Sequence, residues 1–503
     1  MRRCVSMLVL APVAMLGACA TQPAYMRPPL TVPKTWENSA AMPLTDTTAV
    51  DRDQWWTLLE DPVIDSLVET GLGENPTLAE AAARVDIARA ALSLERSRRQ
   101  PKVDLNANVA RSQDSAGSSG NTARQTLAAA GAGLSWELDL WGRVRETTLA
   151  AQSRLDARTA DAEEARLSVV AQIADAALRL RGCGYSLTVR DRDIASREIE
   201  LSITRQRLES GAVAPVSLAA AQSNLASART DRIAQLEACL RVTDALVALS
   251  GVEAAAIRTL LSASASAGSD GVTTGGDFAD LMPSAPPVAP ALPASVLANH
   301  PAVVTAEREA AARWSQIGVA RAERLPRINL TAALTGQWLR ALGSSTSNDS
   351  NALGLDLVFP ILDGGAGAAN VRASEASYRE AVATLAFTVR VAARDVEDAL
   401  AAQQSAVARV ETSRQAVEAA RFTFKANEAR WRAGSIALFE LEDSRRQLNR
   451  AQDDAITAAT DRARAWVELV RRTGPAWNAS STPRETVGAP IGPPTKSIRN
   501  DHG

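Results

Sequence analysis

The sequence predicts a mainly α-helical chain that also supplies four strands to a membrane β-barrel, with its helices paired in long coiled-coil hairpins. Three observations carry this. The chain repeats itself at an offset near 225 residues. Each copy holds two segments in which apolar and polar residues alternate at period two, the pattern of a strand with one greasy and one wet face. Each copy also holds a long run of good helix formers. Residues 368–433 contain neither Gly nor Pro, and the matching stretch 143–210 is interrupted only by Gly182 and Gly184.

Composition narrows the function. Of 503 residues, 46% are hydrophobic, 22% charged and only 4% aromatic. Alanine dominates the apolar share, which suits close-packed helices better than an enzyme core around a pocket. The 55 Lys+Arg and 57 Asp+Glu nearly cancel, so nothing resembles an electrostatic footprint for nucleic acid. The two histidines, His300 and His502, exclude a His-rich metal site and argue against His-based catalysis. No phosphate loop, metal-ligand spacing or Ser/His/Asp arrangement stands out. The expectation is a non-enzyme without a cofactor. After the first 20 positions no run of 18 apolar residues occurs, so no transmembrane helix is expected.

Residues 1–18 read as a lipoprotein signal peptide. Arg2 and Arg3 precede an apolar run from Val5 to Leu16. The run ends in Leu16-Gly17-Ala18-Cys19, which looks like a bacterial lipobox. Cys19 would then be the lipidated first residue of the mature chain. Each buried CH₂ of its acyl chains contributes about 0.8 kcal/mol to membrane attachment. Ala20, rather than Asp, follows the cysteine and favours transport to the outer membrane. Residues 19–75 form the lipid-anchored N-terminal segment.

The repeats occupy residues 76–252 and 300–474. Asn75-Pro76 recurs as His300-Pro301, and Arg98–Pro101 as Glu323–Pro326, both 225 positions on. Arg207–Gly211 recurs as Arg430–Gly434, and Leu218 as Leu441, both 223 on. Each copy opens with a helix, Pro76–Gln100 or Pro301–Leu325, that ends at a proline. Strands follow. Val103, Leu105, Ala107 and Val109 alternate with Asp104, Asn106 and Asn108, and Leu134, Trp136, Leu138 and Leu140 with Ser135, Glu137 and Asp139. In the second copy Ile328, Leu330, Ala332, Leu334 and Trp338 face away from Asn329, Thr331 and Gln337. Leu353, Leu355, Leu357 and Phe359 likewise oppose Asp356. Ser/Gly/Asn-rich segments 111–125 and 341–350 read as exposed loops.

Next comes the long helix. The 66 residues of 368–433 would span roughly 100 Å. Gly211 and Gly434 mark the reversals, because Gly accepts φ > 0 at helix ends. Return helices cover 216–250 and 438–473. Each return helix and its opening helix would together reach roughly 90 Å, enough to stack end to end along the long one. Residues 253–299 form a Ser/Ala/Gly/Pro-rich inter-repeat segment at the equator, and 475–503 read as a disordered tail.

Two further readings come from spacing. Four strands of about 9–12 residues suit a membrane barrel but cannot close one. An open sheet in lipid leaves unpaired N–H and C=O groups that cost several kcal/mol each. Two chains would give eight strands and three would give twelve; conduction needs at least three chains. A soluble sheet beside a coiled coil is the competing reading. Separately, Cys183 lies 28 residues before Gly211 and Cys239 lies 28 after it. Equal distances from a turn put them at one height in the hairpin, and an oxidising periplasm would join them in a disulfide. Trp136, Trp141 and Trp338 fit either an interfacial aromatic belt or ordinary packing.

The chain resembles the TolC-like outer-membrane factors, in the NodT-type lipoprotein branch that serves resistance-nodulation-division efflux. The resemblance spans about residues 19–475. It rests on Cys19, Tyr25–Pro28, Trp55-Trp56 with Leu58–Pro62, Trp136–Arg143, Pro360–Gly365 and the two Gly-containing tips. It implies a homotrimer with a twelve-stranded barrel in the outer membrane and a helical tunnel in the periplasm. It also implies docking to a periplasmic membrane-fusion (adaptor) protein and an inner-membrane pump, without catalysis. On the family pattern Asp443 and Glu440 line the periplasmic constriction, and Trp431 is the aromatic before the tip glycine. The basic gate residue of the family is here Ile436, which points to a more apolar closure. Gly211, Ala212 and Val213, with Gly434, Ser435 and Ile436, are the tip residues expected to meet the adaptor. The expected function is a passive exit duct for drugs or other small toxic compounds. The alternatives are the exit duct of a type I protein secretion system and a non-conducting structural lipoprotein.

Overall fold

The computed structural model describes residues 22–29, 31–39, 54–116, 121–261, 278–283, 293–341 and 343–474. The signal peptide, Cys19 and the tail 475–503 lie outside the described residues.

A short helix α1 (Pro62–Glu74) precedes the first repeat. That repeat runs α2 (Pro76–Ser97), β1 (Lys102–Ala116), β2 (Asn121–Leu138), α3 (Arg143–Glu209) and α4 (Pro215–Ser250). After α5 (Pro293–Asn299), the second runs α6 (Pro301–Ala322), β3 (Arg327–Ala341), β4 (Ser344–Val358), α7 (Ala366–Arg432) and α8 (Leu438–Thr473). The duplication is faithful in length. Both opening helices have 22 residues, both long helices 67 and both return helices 36.

The helix starts follow from local chemistry. Proline opens α1, α2, α4 and α6, where a missing N–H has no partner to lose. Asp139 and Asp363 do equivalent work at the two long helices. Asp139 accepts hydrogen bonds from the N–H groups of Val144 (3.1 Å) and Arg145 (2.8 Å), and Asp363 from those of Gly365 (2.8 Å) and Gly367 (2.7 Å). The Gly367 and Gly365 N–H bonds hold the Asp363 carboxyl below the usual range. Gly142 (φ 80°) and Gly365 (φ 91°) make each corner possible.

The helices form one layer. Along its strand-side half the order is α2–α3–α6–α7, and along the other half α4–α3–α8–α7. The short helices do stack end to end. Asn75 Nδ2 donates to the Leu249 carbonyl at 2.7 Å, joining α4 to α2. A Cβ on Gly474, after α8, would stand 3.8 Å from the Pro301 ring that opens α6. Bulky side chains gather around these junctions. Trp55, Trp56, Leu67, Ile173, Leu178, Leu246 and Trp466 fill one cluster, and Trp36, Leu297, Leu385, Leu400 and Leu469 belong to a second.

The sheet is antiparallel in the order β1-β2-β3-β4. Its strands have 15, 18, 15 and 15 residues, longer than the expected 9–12. The supposed loop 341–350 is mostly strand, and the first hairpin also extends to Ala116 and back from Asn121. The ladder continues past the end of the apolar alternation because backbone pairing does not depend on it. Trp136 and Trp141 tie the corners. Their indole N–H groups donate to the carbonyls of Arg99 (3.0 Å) and Pro326 (2.7 Å).

An N-terminal strap not foreseen from sequence crosses α6 and α7. Gln22 accepts from Arg321 at 2.7 Å, Trp314 donates to the Pro23 carbonyl at 3.0 Å, and the N–H groups of Glu37 and Asn38 bind Glu397 at 2.8 and 3.1 Å.

Candidate functional site: the two sheet faces and the hairpin tips

Directly paired residues of an antiparallel sheet point to the same side. One face therefore collects Val103, Leu105, Val109, Leu134, Trp136, Leu330, Leu334, Trp338, Leu353, Leu355 and Leu357. Leu105 and Leu353 are 83% and 79% exposed, so this greasy face is uncovered within one chain. The opposite face collects Asp104, Asn106, Asn108, Ser135, Glu137, Asn329, Thr331, Gln337, Asn348 and Asp356. Glu137 is gripped by Arg143 through two bonds of 2.9 and 2.6 Å. A wet face backed by a greasy one can line an aqueous passage through lipid.

The two tips share one geometry. Gly211 and Gly434 both have φ 73°. The N–H of Ala212 reaches the Arg207 carbonyl at 2.8 Å, and that of Ser435 reaches Arg430 at 2.9 Å. Ala212 and Ser435 are exposed, while Val213 and Ile436 are half-buried. Glu440 and Asp443 lie in the first two turns of α8, on the side away from buried Leu441 and Glu442. Glu440 is exposed. Asp443 is held by Arg446 at 3.4 Å and by Gln447 at 2.7 Å. The expected acidic pair thus shares its end of the helix with a cation.

Sequence reasoning missed the polar seam behind them. Ser196 on α3 donates to Glu442 at 2.5 Å and accepts from Arg445 at 2.8 Å. Asn449 donates to Asp193 at 2.9 Å, Arg190 to Asp453 at 3.0 Å, and Ser186 also to Asp453. Arg446 faces Glu200 at 3.7 Å and stacks over Phe439 at 5.7 Å. Burial pushes the Glu200 carboxyl up, and Arg446 only partly offsets this. The available signal was a charged stripe on α8, but its partners lie some 250 residues away in sequence, for example 249 for Arg445 and Ser196.

In the first hairpin the structure joins Cys183 to Cys239 in a disulfide, with Cα atoms 5.7 Å apart. At the equivalent heights the second hairpin has Ala406 and Arg462.

Known proteins share this architecture. The chain is 29% identical to outer membrane protein OprJ of Pseudomonas aeruginosa over 92% of its own length and 94% of that protein. It is 26% identical to nodulation protein T of Rhizobium leguminosarum bv. trifolii, over 92% of this chain and 96% of that one. The open-state outer membrane channel MtrE of Neisseria gonorrhoeae superposes with a TM-score of 0.75 at 23% identity, over 91% of this chain and 98% of that one. The family model described as outer membrane efflux protein matches residues 67–252 and 292–475, and the chain belongs to that family.

Proposed function

We propose that three copies close into one hollow body and that this body is the outer-membrane exit duct of a tripartite efflux assembly. One observation carries the reading: helix layer and sheet are open along the same two sides. β1, α2 and α4 form one margin, and β4 and α7 the other. Both margins expose apolar side chains: Ile87 (69%), Leu94 (59%) and Ile233 (66%) on the first, Phe387 (67%), Val407 (51%) and Phe422 (76%) on the second. Unlike margins that complement each other make a head-to-tail contact, which closes as a ring when the rotation per copy divides a full turn. Three copies give twelve strands with no free edge in lipid and an interior too wide to be plugged by its own side chains.

The helix layers continue this barrel as a periplasmic tunnel. The tips around Gly211, Ala212, Val213, Gly434, Ser435 and Ile436 meet the adaptor, and a resistance-nodulation-division pump drives the export. Three copies of Glu440 and Asp443 form carboxylate rings at the entrance that favour cations, with Arg446 damping the field. Substrate passes without a chemical step. A lipid on Cys19 fits the strap. Gln22 packs against Gly318, one turn from the strand-side end of α6, and three residues reach about 10 Å further.

Planar-bilayer recordings of the full-length protein test the proposal. Stepwise single-channel conductance is expected, and Glu440→Gln with Asp443→Asn should lower its preference for cations. A silent bilayer with correctly inserted protein would favour the structural-brace alternative.

A further inference from the structure

We infer that the hairpin end of the sheet binds a phosphate-bearing glycolipid of the outer leaflet, of the lipid A class. Arg111 and Arg340 grip its phosphate, and a hollow below them takes one acyl chain. This rests on the trimeric-barrel reading, which puts the greasy face in lipid with its hairpin ends outermost.

Within one chain, paired residues form rows across the sheet, and every second row points to the greasy side. Near the hairpin ends one such row is Arg111, Thr126, Arg340 and Ser345. It sets two guanidinium groups two strands apart, about 10 Å, with one hydroxyl between them and another beside them. Both arginines are exposed, and among the described residues neither has an ion pair or a side-chain hydrogen bond. In the next row on this side Arg124 joins them, its Nε donating to Gln113 at 2.9 Å. The remaining basic residues of the strands, Lys102 and Arg327, lie at the opposite end and on the wet face. Asp349 is the strands' only carboxylate on the greasy side. It leans over Gly336, which lies four residues, about 13 Å, along β3 from Arg340. Positive charge on the lipid side is thus confined to one end and left without a local counter-charge.

That end coincides with a membrane surface. From Trp136 to Thr126 is ten residues of β2, about 33 Å along the strand. At the 35–45° tilt of membrane barrels this is about 25 Å of height, the size of their apolar band. The arginine row therefore stands where hydrocarbon gives way to headgroups. Below it the same side carries a hollow of about 490 Å³. Ala128, Ala130 and Gly336 floor it, and Val109 and Trp338 wall it. The floor residues are too small to fill the space between these walls, so a methylene chain descending from the arginines has a bed.

Charge selects the occupant. Each arginine fork matches phosphate oxygens two at a time. A phosphomonoester offers three acceptor oxygens and about two charges to a pair of forks, more than the diester of a phospholipid can. A phosphomonoester carried on acyl chains, in the leaflet at the hairpin end, fits both the arginine row and the hollow.

Native mass spectrometry of the full-length protein tests this, because the mass identifies each retained lipid. The protein is reconstituted with equal amounts of bisphosphorylated lipid A, its dephosphorylated form and phosphatidylglycerol. The phosphorylated lipid A should be retained preferentially. Arg111→Gln with Arg340→Gln should weaken that retention about tenfold, the scale of two exposed charge contacts. Lys102→Gln with Arg327→Gln removes the same charge from the other end and should leave retention as it is. Ala130→Phe, which fills the hollow, should lower retention several-fold, and an undiminished value would overturn the seat of the acyl chain. Equal retention by the wild type and the arginine variant, or retention blind to the phosphates, overturns the site. So does displacement by millimolar inorganic phosphate, which would mark a bare anion site. A trimer that fails these tests overturns the lipid site alone, whereas a monomeric mass overturns it together with the trimeric reading.

Discussion

The two hairpins have the same helix lengths and the same tip geometry, yet their return helices are held in opposite ways. Helix α8 lies between α3 and α7, whereas α4 has α3 on one side and the open margin on the other. The faces differ accordingly. Glu442, Arg445, Arg446, Asn449 and Asp453 of α8 knit the seam to α3. The corresponding residues of α4 are Ala219, Gln222, Ser223, Ala226 and Thr230, small or uncharged. In the proposed trimer, repeat symmetry turns this face of α4 toward the next copy. Duplication fixed the frame, and divergence put charge in the seam inside a chain while leaving smooth the face that the proposed trimer would bury between chains. The disulfide belongs to the same contrast. It clasps the helix that borders the open margin.

The largest expected effect is therefore at the clasp. Cys183→Ser with Cys239→Ser opens a loop of 56 residues. Loop-closure entropy puts the loss at about 4 kcal/mol. Thermal melting in detergent should fall accordingly, and reductant should lower the wild type to the same value. An unchanged melting temperature would mean that α3 alone secures α4.

A smaller effect, about 3 kcal/mol, is expected from Gly182→Leu. Any Cβ at Gly182 would overlap the Thr460 hydroxyl where α8 crosses α3. The matching position of the second long helix is Ser405, which is exposed. Ser405→Leu should cost less, because no helix of the same chain covers Ser405 and in the proposed trimer it meets only the smoother seam between copies. Equal losses at both sites would contradict the claim that only α3 is crossed closely at this height.

These sites show what sequence could and could not convey. The duplication, the alternating strands and the equal spacing of Cys183 and Cys239 about Gly211 are all local patterns, and each is readable from one segment. The strand ends were misread because the hairpins run on as ladders with polar side chains on both faces. Trp136 and Trp141 left belt and packing equally open until their indoles were seen bonded to Arg99 and Pro326. The Glu440 and Asp443 positions came from family resemblance, but the cation beside them did not. Arg446 is one of many arginines in α8, and only the fold shows that it bridges Asp443 and Glu200.

That bridge gives the smallest effect and the most specific one. Glu200 is nearly buried on α3, and burial, more than Arg446 can offset, raises its pKa above the ordinary value. A carboxyl with a raised pKa in the folded state costs nothing below the unfolded value, about 4.3, where it is neutral in both states. As pH climbs through the folded value the burial cost of the charge appears, so this group makes the seam weaker at neutral pH than in acid. Glu200→Gln should remove that dependence. The expected gain at pH 7 is under about 1 kcal/mol, and the variant's melting temperature should drop less than the wild type's between pH 4.5 and 7. The second hairpin supplies the control, since Thr423 occupies the equivalent site and is exposed. Thr423→Ala should leave the pH profile as it was. A Glu200→Gln profile that still tracks the wild type would show that the charge on Glu200 is fully compensated by Arg446 and that the seam's stability does not depend on its titration.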